Sequence, residues 1–427
     1  MDTSQSVPSQ STDMQWVSAL STRPSLEQAI DEVVQHTQSA LQKSADLGLI
    51  FISNTFTSEY PRLLPLLQER LQVRHLIGCG GSGIIGPQMT GKTIEVEQDP
   101  ALVLTLAHLP EVQIHAFHIA AESLPDPDSA PDAWINMIGV SPQAQPHFLL
   151  FADSGTAKIK DLLQGLDYAY TGSTKVGGLT GGTAFSVTSG LFCDGHRYES
   201  GTVGIALSGN IHIDTIVAQG CRPIGPLYRV TAAERHVLLQ IEAQPVRTPG
   251  GTLEASQEQT PLSALQSVVN AMTPEDQVLA QKALSIGIAR NEFQQTLEPG
   301  DFLIRNLIGV DPRNGAVAIG DRIRPGQRVQ FHLRDAQSSQ AELVALLQQY
   351  CDHQGEQSAF SGALLFDCLG RGEQFYQQPH VDSQLLHQHI SGVPLSGFFC
   401  QGEIGPIGDT TFLHGYTAVF ALIRSRN

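Results

Sequence analysis

Near the C-terminus, polar side chains of complementary chemistry fall within a short span. Asp367, Cys368 and Arg371 follow one apolar run, and Cys400 and Glu403 follow the next. A guanidinium presents a planar fork to a carboxylate, and a carboxylate takes an ammonium. Arg371 together with Glu403 or Asp367 is therefore suited to clamp a zwitterion. Gly402 and Gly405 flank the turn at Glu403, and the missing Cβ atoms would let backbone N–H groups approach a ligand closely. The competing reading is an internal Arg371–Glu403 ion pair among buried, inert cysteines. When the apolar runs are aligned, Cys79 takes the place of Cys400 and joins the candidate set. A nucleophilic thiol at Cys400 or Cys368 would need an adjacent base or positive charge. His414 and Arg371 are the nearest by sequence, at spacings that diagnose nothing, so no catalytic residue is assigned.

Two nucleotide motifs overlap further upstream. Gly78-Cys-Gly80-Gly-Ser-Gly83 satisfies GxGxxG, and Gly86-Pro-Gln-Met-Thr-Gly91-Lys92-Thr93 satisfies the P-loop pattern. Each must open a helix to place its phosphates. Here Thr93-Ile-Glu-Val-Glu97 alternates as a strand does, so residues 78–93 are read as turns between strands. The pairs His115/His118 and His387/His389 diverge on a strand and on a helix respectively, and are read as solvated. No metal and no cofactor is predicted.

The elements that would position these residues recur three times. Strand 48–52, helix 60–71 and strand 73–77 lead into the turn at Gly78–Gly83, followed by strand 93–97. Strand 148–152, helix 156–169 and a strand lead into Val176–Gly182, followed by strand 203–207. Strand 363–366, helix 381–390 and a strand lead into Gly397–Gly405, followed by strand 416–422. A strand–helix–strand unit makes its two strands parallel with a right-handed crossover. All three turns then leave the carboxyl end of a second strand. Leu26, Ala29, Ile30, Val33, Val34 and Leu41, behind Ser25 as N-cap, predict one more helix. Segments 203–218, broken at Gly209-Asn210, and 302–333, broken at Asn314-Gly315 and Pro325-Gly326, read as hairpins. Pro125–Ala133 reads as a surface loop. The expected fold is mixed α/β (α+β), with two domains, internally repeated units, mixed sheets and helices packed on them.

The chain has 427 residues, 41% hydrophobic and 16% charged, enough for two or three domains. With 25 Lys and Arg against 42 Asp and Glu, the net charge is −17. Such a surface repels phosphate backbones and anionic membranes, so neither nucleic acid nor membrane insertion is expected. Six scattered cysteines without a CxxC pair read as free thiols in a reducing compartment, and no signal-like or membrane-spanning run is present, which predicts a cytoplasmic protein. Residues 1–22 read as a flexible leader, 23–243 and 261–427 as two domains, and 244–260 as their linker.

Ordered motifs across residues 45–425 resemble the FIST module. Its C-terminal domain is resembled by Gly362-Ala-Leu-Leu-Phe-Asp-Cys-Leu-Gly-Arg371-Gly, Pro394-Leu-Ser-Gly-Phe-Phe-Cys-Gln-Gly402-Glu-Ile-Gly405-Pro and Leu413-His-Gly-Tyr-Thr-Ala-Val-Phe. Its N-terminal domain is resembled by His75-Leu-Ile-Gly-Cys79, Val176-Gly-Gly-Leu, and Gly201-Thr-Val-Gly-Ile-Ala-Leu through Gly220-Cys-Arg-Pro-Ile-Gly225. The resemblance implies a sensory, signal-transducing module that binds a small ligand, with amino acids as the proposed class, and it assigns no catalytic residues. Residues 1–44 are too short for a kinase, cyclase or F-box output, so the expectation is a stand-alone binding protein or one that signals through a protein partner. The alternative is an enzyme, thiol-based at Cys400 or Cys368 or nucleotide-dependent at residues 78–93.

Overall fold

The apolar runs ahead of the glycine-rich turns are strands, and the chain repeats one motif around them. The computed structural model describes residues 13–155, 158–181, 190–244, 257–297, 299–354 and 360–426. The first copy runs β1 (Gln15–Ser21), α1 (Leu26–Leu41), β2 (Ala45–Ser53), α2 (Tyr60–Gln68), β3 (Val73–Gly81), β4 (Ile84–Pro87), β5 (Thr93–Val96) and β6 (Leu102–His108). The second runs β7 (Val112–Ile119), α3 (Pro131–Ile138), β8 (His147–Ala152), α4 (Ile159–Ala169), β9 (Lys175–Leu179), β10 (Leu191–Cys193), β11 (His196–Tyr198) and β12 (Thr202–Gly209). The third opens with β13 (His212–Ala218) and is then interrupted. The interruption holds β14 (Cys221–Glu234), β15 (Val237–Ala243), β16 (Glu258–Gln259), α5 (Pro261–Asn270), α6 (Pro274–Ala283), β17 (Leu284–Ala289), β18 (Phe302–Asp311), β19 (Ala316–Ile319) and β20 (Arg328–Arg334). The third copy resumes with α7 (Ala336–Gln354), β21 (Gly362–Cys368), α8 (Glu373–Tyr376), α9 (Val381–His389), β22 (Leu395–Cys400), β23 (Glu403–Ile407), β24 (Thr410–His414) and β25 (Ala418–Arg424).

Two compact units result. One comprises residues 1–217, 347–413 and 418–427, the other 218–346 and 414–417. The first unit contains three six-stranded sheets of one design. In each, two strands joined through a helix lie parallel: β2 with β3, β8 with β9, β21 with β22. An antiparallel strand flanks the first of each pair: β6, β12 and β25. The hairpin after each turn does not return to its own sheet. β4 pairs with β22, β23 with β9, and β10 with β3. Each copy thus lends its hairpin to another, and the three exchanges close a ring.

Register makes the repetition visible at single residues. Gly78, Gly177 and Gly397 lie opposite Ile50, Leu150 and Leu365 on the parallel neighbour. A Cβ at any of the three would stand 1.8 Å from that partner's carbonyl oxygen. One residue on in the first strands come Phe51, Phe151 and Phe366, which converge on Phe398 at ring-centroid distances of 5.0, 5.9 and 5.8 Å. This register corrects the expected alignment of the cysteines. Cys79 corresponds to Phe398, and Cys400 corresponds to Gly81, an offset of two residues that leaves both thiols on the same strand face.

Three further expectations change. Residues 1–12 lie outside the described residues, but Gln15–Ser21 of the expected leader is a strand paired with β6, with Trp16 and Leu20 buried. Segment 203–218 is not a hairpin, because β7 and β8 occupy both sides of β12 and leave no edge for β13, which pairs with β25. Pro131 does not belong to a loop but sits first in α3, where its missing N–H is not needed. Thr156 and Ala157 of an expected helix, Gly182 of the second turn and residues 245–256 of the linker lie outside the described residues.

In the second unit β14, β20, β17, β18, β19 and β15 pair antiparallel in that order, and β15 pairs back with β14, closing a six-stranded barrel with β16 appended. Asn314-Gly315 does turn a hairpin between β18 and β19, but after Pro325-Gly326 β20 joins β17 and β14 instead. Ala264, Leu265 and Val268 of α5 and Ala280 of α6 pack into its apolar core. No described helix is long and apolar enough to cross a membrane.

Candidate functional site

The third copy departs from its siblings at the carboxyl end of β21. The strand-end positions Ile52 and Ala152 of the other copies become Asp367, a carboxyl on a fully buried residue. Burying a charge here requires a counter-charge. Arg371, four residues on and equally buried, supplies it, with its Nε 3.3 Å from Asp367 Oδ1. The fork itself is filled by Asp382 of α9: Arg371 Nε donates to Oδ2 at 2.9 Å and Nη2 donates to Oδ1 at 3.0 Å. Nη2 also donates to the Tyr376 hydroxyl at 2.7 Å, which donates on to Asp382 at 3.0 Å. Asp382 stands in place of the expected Glu403, and the fork that was to hold a ligand carboxylate holds a side chain of the protein.

A third acid reaches the same cluster from β5. Glu95 Oε1 accepts from the backbone N–H of Ser383 at 2.8 Å, and its own backbone N–H donates to His380 Nδ1 at 3.0 Å. Three carboxyls around one guanidinium cannot all be ionised cheaply. Burial discourages the charge on Arg371, but Asp382, Tyr376 and Asp367 together outweigh it and hold the guanidinium well above its ordinary range. Burial first, then the charge of Asp382, pushes the Asp367 carboxyl well above its ordinary range, against the opposing charge of Arg371. Burial, reinforced by Asp382, raises Glu95 to about 7. Burial, then the charge of Lys92, lowers His380, leaving Nδ1 free to accept.

Above Glu95 opens a cleft of about 890 Å³ at the loop that leaves β21, walled by Glu95, Glu97, Asp99, Glu373 and His380. Glu97 Oε1 caps the backbone N–H of Glu373 at 2.6 Å. Four carboxyls and a neutral imidazole line this cleft, and among the described residues no Lys or Arg does.

The other candidates gather in the turn layer. Cys368 and Cys400 are register partners on β21 and β22. Cys79 and Cys400 are fully buried, and burial drives both thiols well above their ordinary range, with Glu403 adding to the effect at Cys400. That is the reverse of an activated nucleophile. A Cβ on Gly178, opposite Glu403 on β23, would meet Cys400 Sγ at 2.3 Å. Gly402 lies against Leu179 and Leu413, and Gly405 against Val419 and Val217, within 3.0–3.2 Å of where a Cβ would be. Their small size serves protein packing rather than open approach by a ligand. Residues 78–93 run from β3 through Ser82-Gly83 to β4 and β5, so neither nucleotide motif opens a helix.

Residue type and spacing therefore brought Asp367, Cys368, Arg371, Cys400, Glu403 and Cys79 to one region of the first unit but missed Asp382, Tyr376, Glu95 and the acidic wall. One available signal was Asp382 in the first turn of a helix, where an acid is favoured. The other was Glu95 inside a strand whose neighbours are apolar.

Profiles of the FIST N domain and the FIST C domain match residues 46–244 and 261–406. An uncharacterized protein of Mycobacterium tuberculosis is 32% identical over 405 residues, 94% of this chain and 98% of its own. F-box only protein 22 of Homo sapiens is 33% identical over 75 residues, 14% of this chain and 19% of its own. A crystal structure of a cyanuric acid hydrolase from A. caulinodans aligns over 97% of this chain and 100% of that one at 10% identity, with a TM-score of 0.30, too remote to carry an argument. With both domains present in order over most of its length, the chain belongs to the FIST family.

Proposed function

We propose that this protein senses a small ligand bearing an ammonium group, an amino acid or a related amine, in the acidic cleft at the carboxyl end of β21. The observation that carries the reading is the cleft wall: Glu95, Glu97, Asp99 and Glu373 with no cation among them. A wall of one sign with low-dielectric sides concentrates ligands of the other sign. Asp367, Arg371 and Asp382 act beneath it, holding α9 and Glu95 in place, while Cys79, Cys368, Cys400, Gly402, Glu403 and Gly405 form the packed scaffold. A cation above Glu95 favours its ionised form, so binding couples to loss of its proton. A signalling partner would then read the altered charge state.

Titration calorimetry at pH 7 with L-lysine and putrescine tests this. Lysine and putrescine should bind, their fully N-acetylated counterparts, which carry no ammonium, should not, and Asp99→Asn or Glu97→Gln should weaken binding about tenfold, as loss of a charge-assisted contact does. Binding enthalpy should vary with buffer ionisation enthalpy in the parent and stop varying in Glu95→Gln. Equal binding of the amines and their fully acetylated counterparts would refute the assignment.

A further inference from the structure

A separate cavity of about 550 Å³ is lined in part by β5 and α9, and its chemistry is the opposite. Among the described residues no Asp or Glu lines it, in a chain of net charge −17. Its polar edge is made by Lys92, Thr93 and His387, and its wall includes Val17, Val393 and Leu395. Thr93 Oγ1 and His387 Nε2 are 2.8 Å apart, which fixes both groups. Burial lowers the His387 pKa, so the ring is a neutral hydrogen-bonding group. Lys92 is exposed and makes no ion pair with any described residue. Its ammonium is the one cation that the described residues place on the cavity's rim.

The volume lies within the range of small-molecule pockets, which combine a mostly apolar wall with a few placed polar groups. A cationic ligand would meet Lys92, and a multiply charged phosphate would find one cation where it needs several. We infer that this cavity binds a small apolar monocarboxylate, its carboxylate on Lys92 and the Thr93–His387 edge, its hydrocarbon against Val17, Val393 and Leu395. The acidic cleft uses different residues, so each assignment can fail without the other.

The probes are octanoate and 3-phenylpropionate, each beside its matched alcohol, titrated into the full chain at low and at moderate salt. The acids should bind about tenfold tighter than the alcohols, the factor of one charge-assisted hydrogen bond, and the gap should narrow as salt is raised. Lys92→Ala should bring the acids down to the alcohols' affinity while leaving the alcohols and the melting temperature unchanged. Ala40→Trp, an exposed lining position at the end of α1, should fill the cavity and abolish binding of both series. Acids and alcohols binding equally, acids unaffected by Lys92→Ala, or no saturation by any probe below about 10 mM would each overturn the assignment.

Discussion

Glu95 is the residue at which cleft and core meet, and its protonation makes stability depend on pH. Its folded pKa, about 7, stands above the ordinary 4.5 because of burial and Asp382. Between those two values the folded state binds the extra proton, so stability falls as pH rises. The contribution is fully present below pH 4.5, is lost through pH 7 and changes no further above it. The whole shift corresponds to a stability change on the order of 3 kcal/mol. In Glu95→Gln this dependence disappears, so urea unfolding of parent and variant should diverge between pH 4.5 and 7, the variant gaining relative stability. A constant difference across that range would show that Glu95 does not titrate in this window. Residue chemistry alone marks part of this cluster in the sequence: Asp367 and Arg371 stand out by type and four-residue spacing. Their partner does not. Asp382 lies eleven residues beyond Arg371 on a different element, and only the folded loop brings it within 2.9 Å.

At the scale of elements, strands and crossovers could be read because apolar runs, helical spacing and glycine turns are local signals. Which neighbour a strand chooses is not local. β4–β5 has the sequence of a hairpin wherever it docks, and nothing in residues 84–96 names β22 as its partner. The two-residue offset of Cys79 against Cys400 has the same origin: both follow apolar runs, and only register against β2 and β21 distinguishes them. The glycines that set this register are a stricter marker. Gly397→Ala would place a Cβ 1.8 Å from the Leu365 carbonyl oxygen, which a backbone atom can relieve only by parting β21 from β22. The expected cost is at least about 3 kcal/mol, the range of overpacked core changes. Gly309→Ala, with no atom within 4 Å, should be nearly neutral by the same thermal denaturation. Comparable loss in both variants would mean that any side chain on these strand glycines is costly, and that the close approach does not govern.

For the molecule as a whole, the cyclic loan of hairpins means that no copy in the first unit is complete by itself. Removing residues 347–427 would strip β4 of β22, β9 of β23 and β13 of β25. Exposed strand edges and unburied apolar faces follow, and neither is tolerated in an isolated domain. The interruption of the third copy by residues 218–346 does not alter this logic, because those residues belong to another compact unit with an apolar core of its own. A chain of residues 1–217 alone should therefore lack cooperative melting and dispersed amide resonances, although it carries two full repeats of secondary structure. Co-expression with residues 347–427 should restore both, since that segment returns every missing strand partner. If residues 1–217 melted cooperatively on their own, the exchanged hairpins would be ornaments on self-sufficient copies. The ring of exchanges instead makes one cooperative unit of three repeats, and it carries the charge cluster of the third copy on a frame that all three must complete.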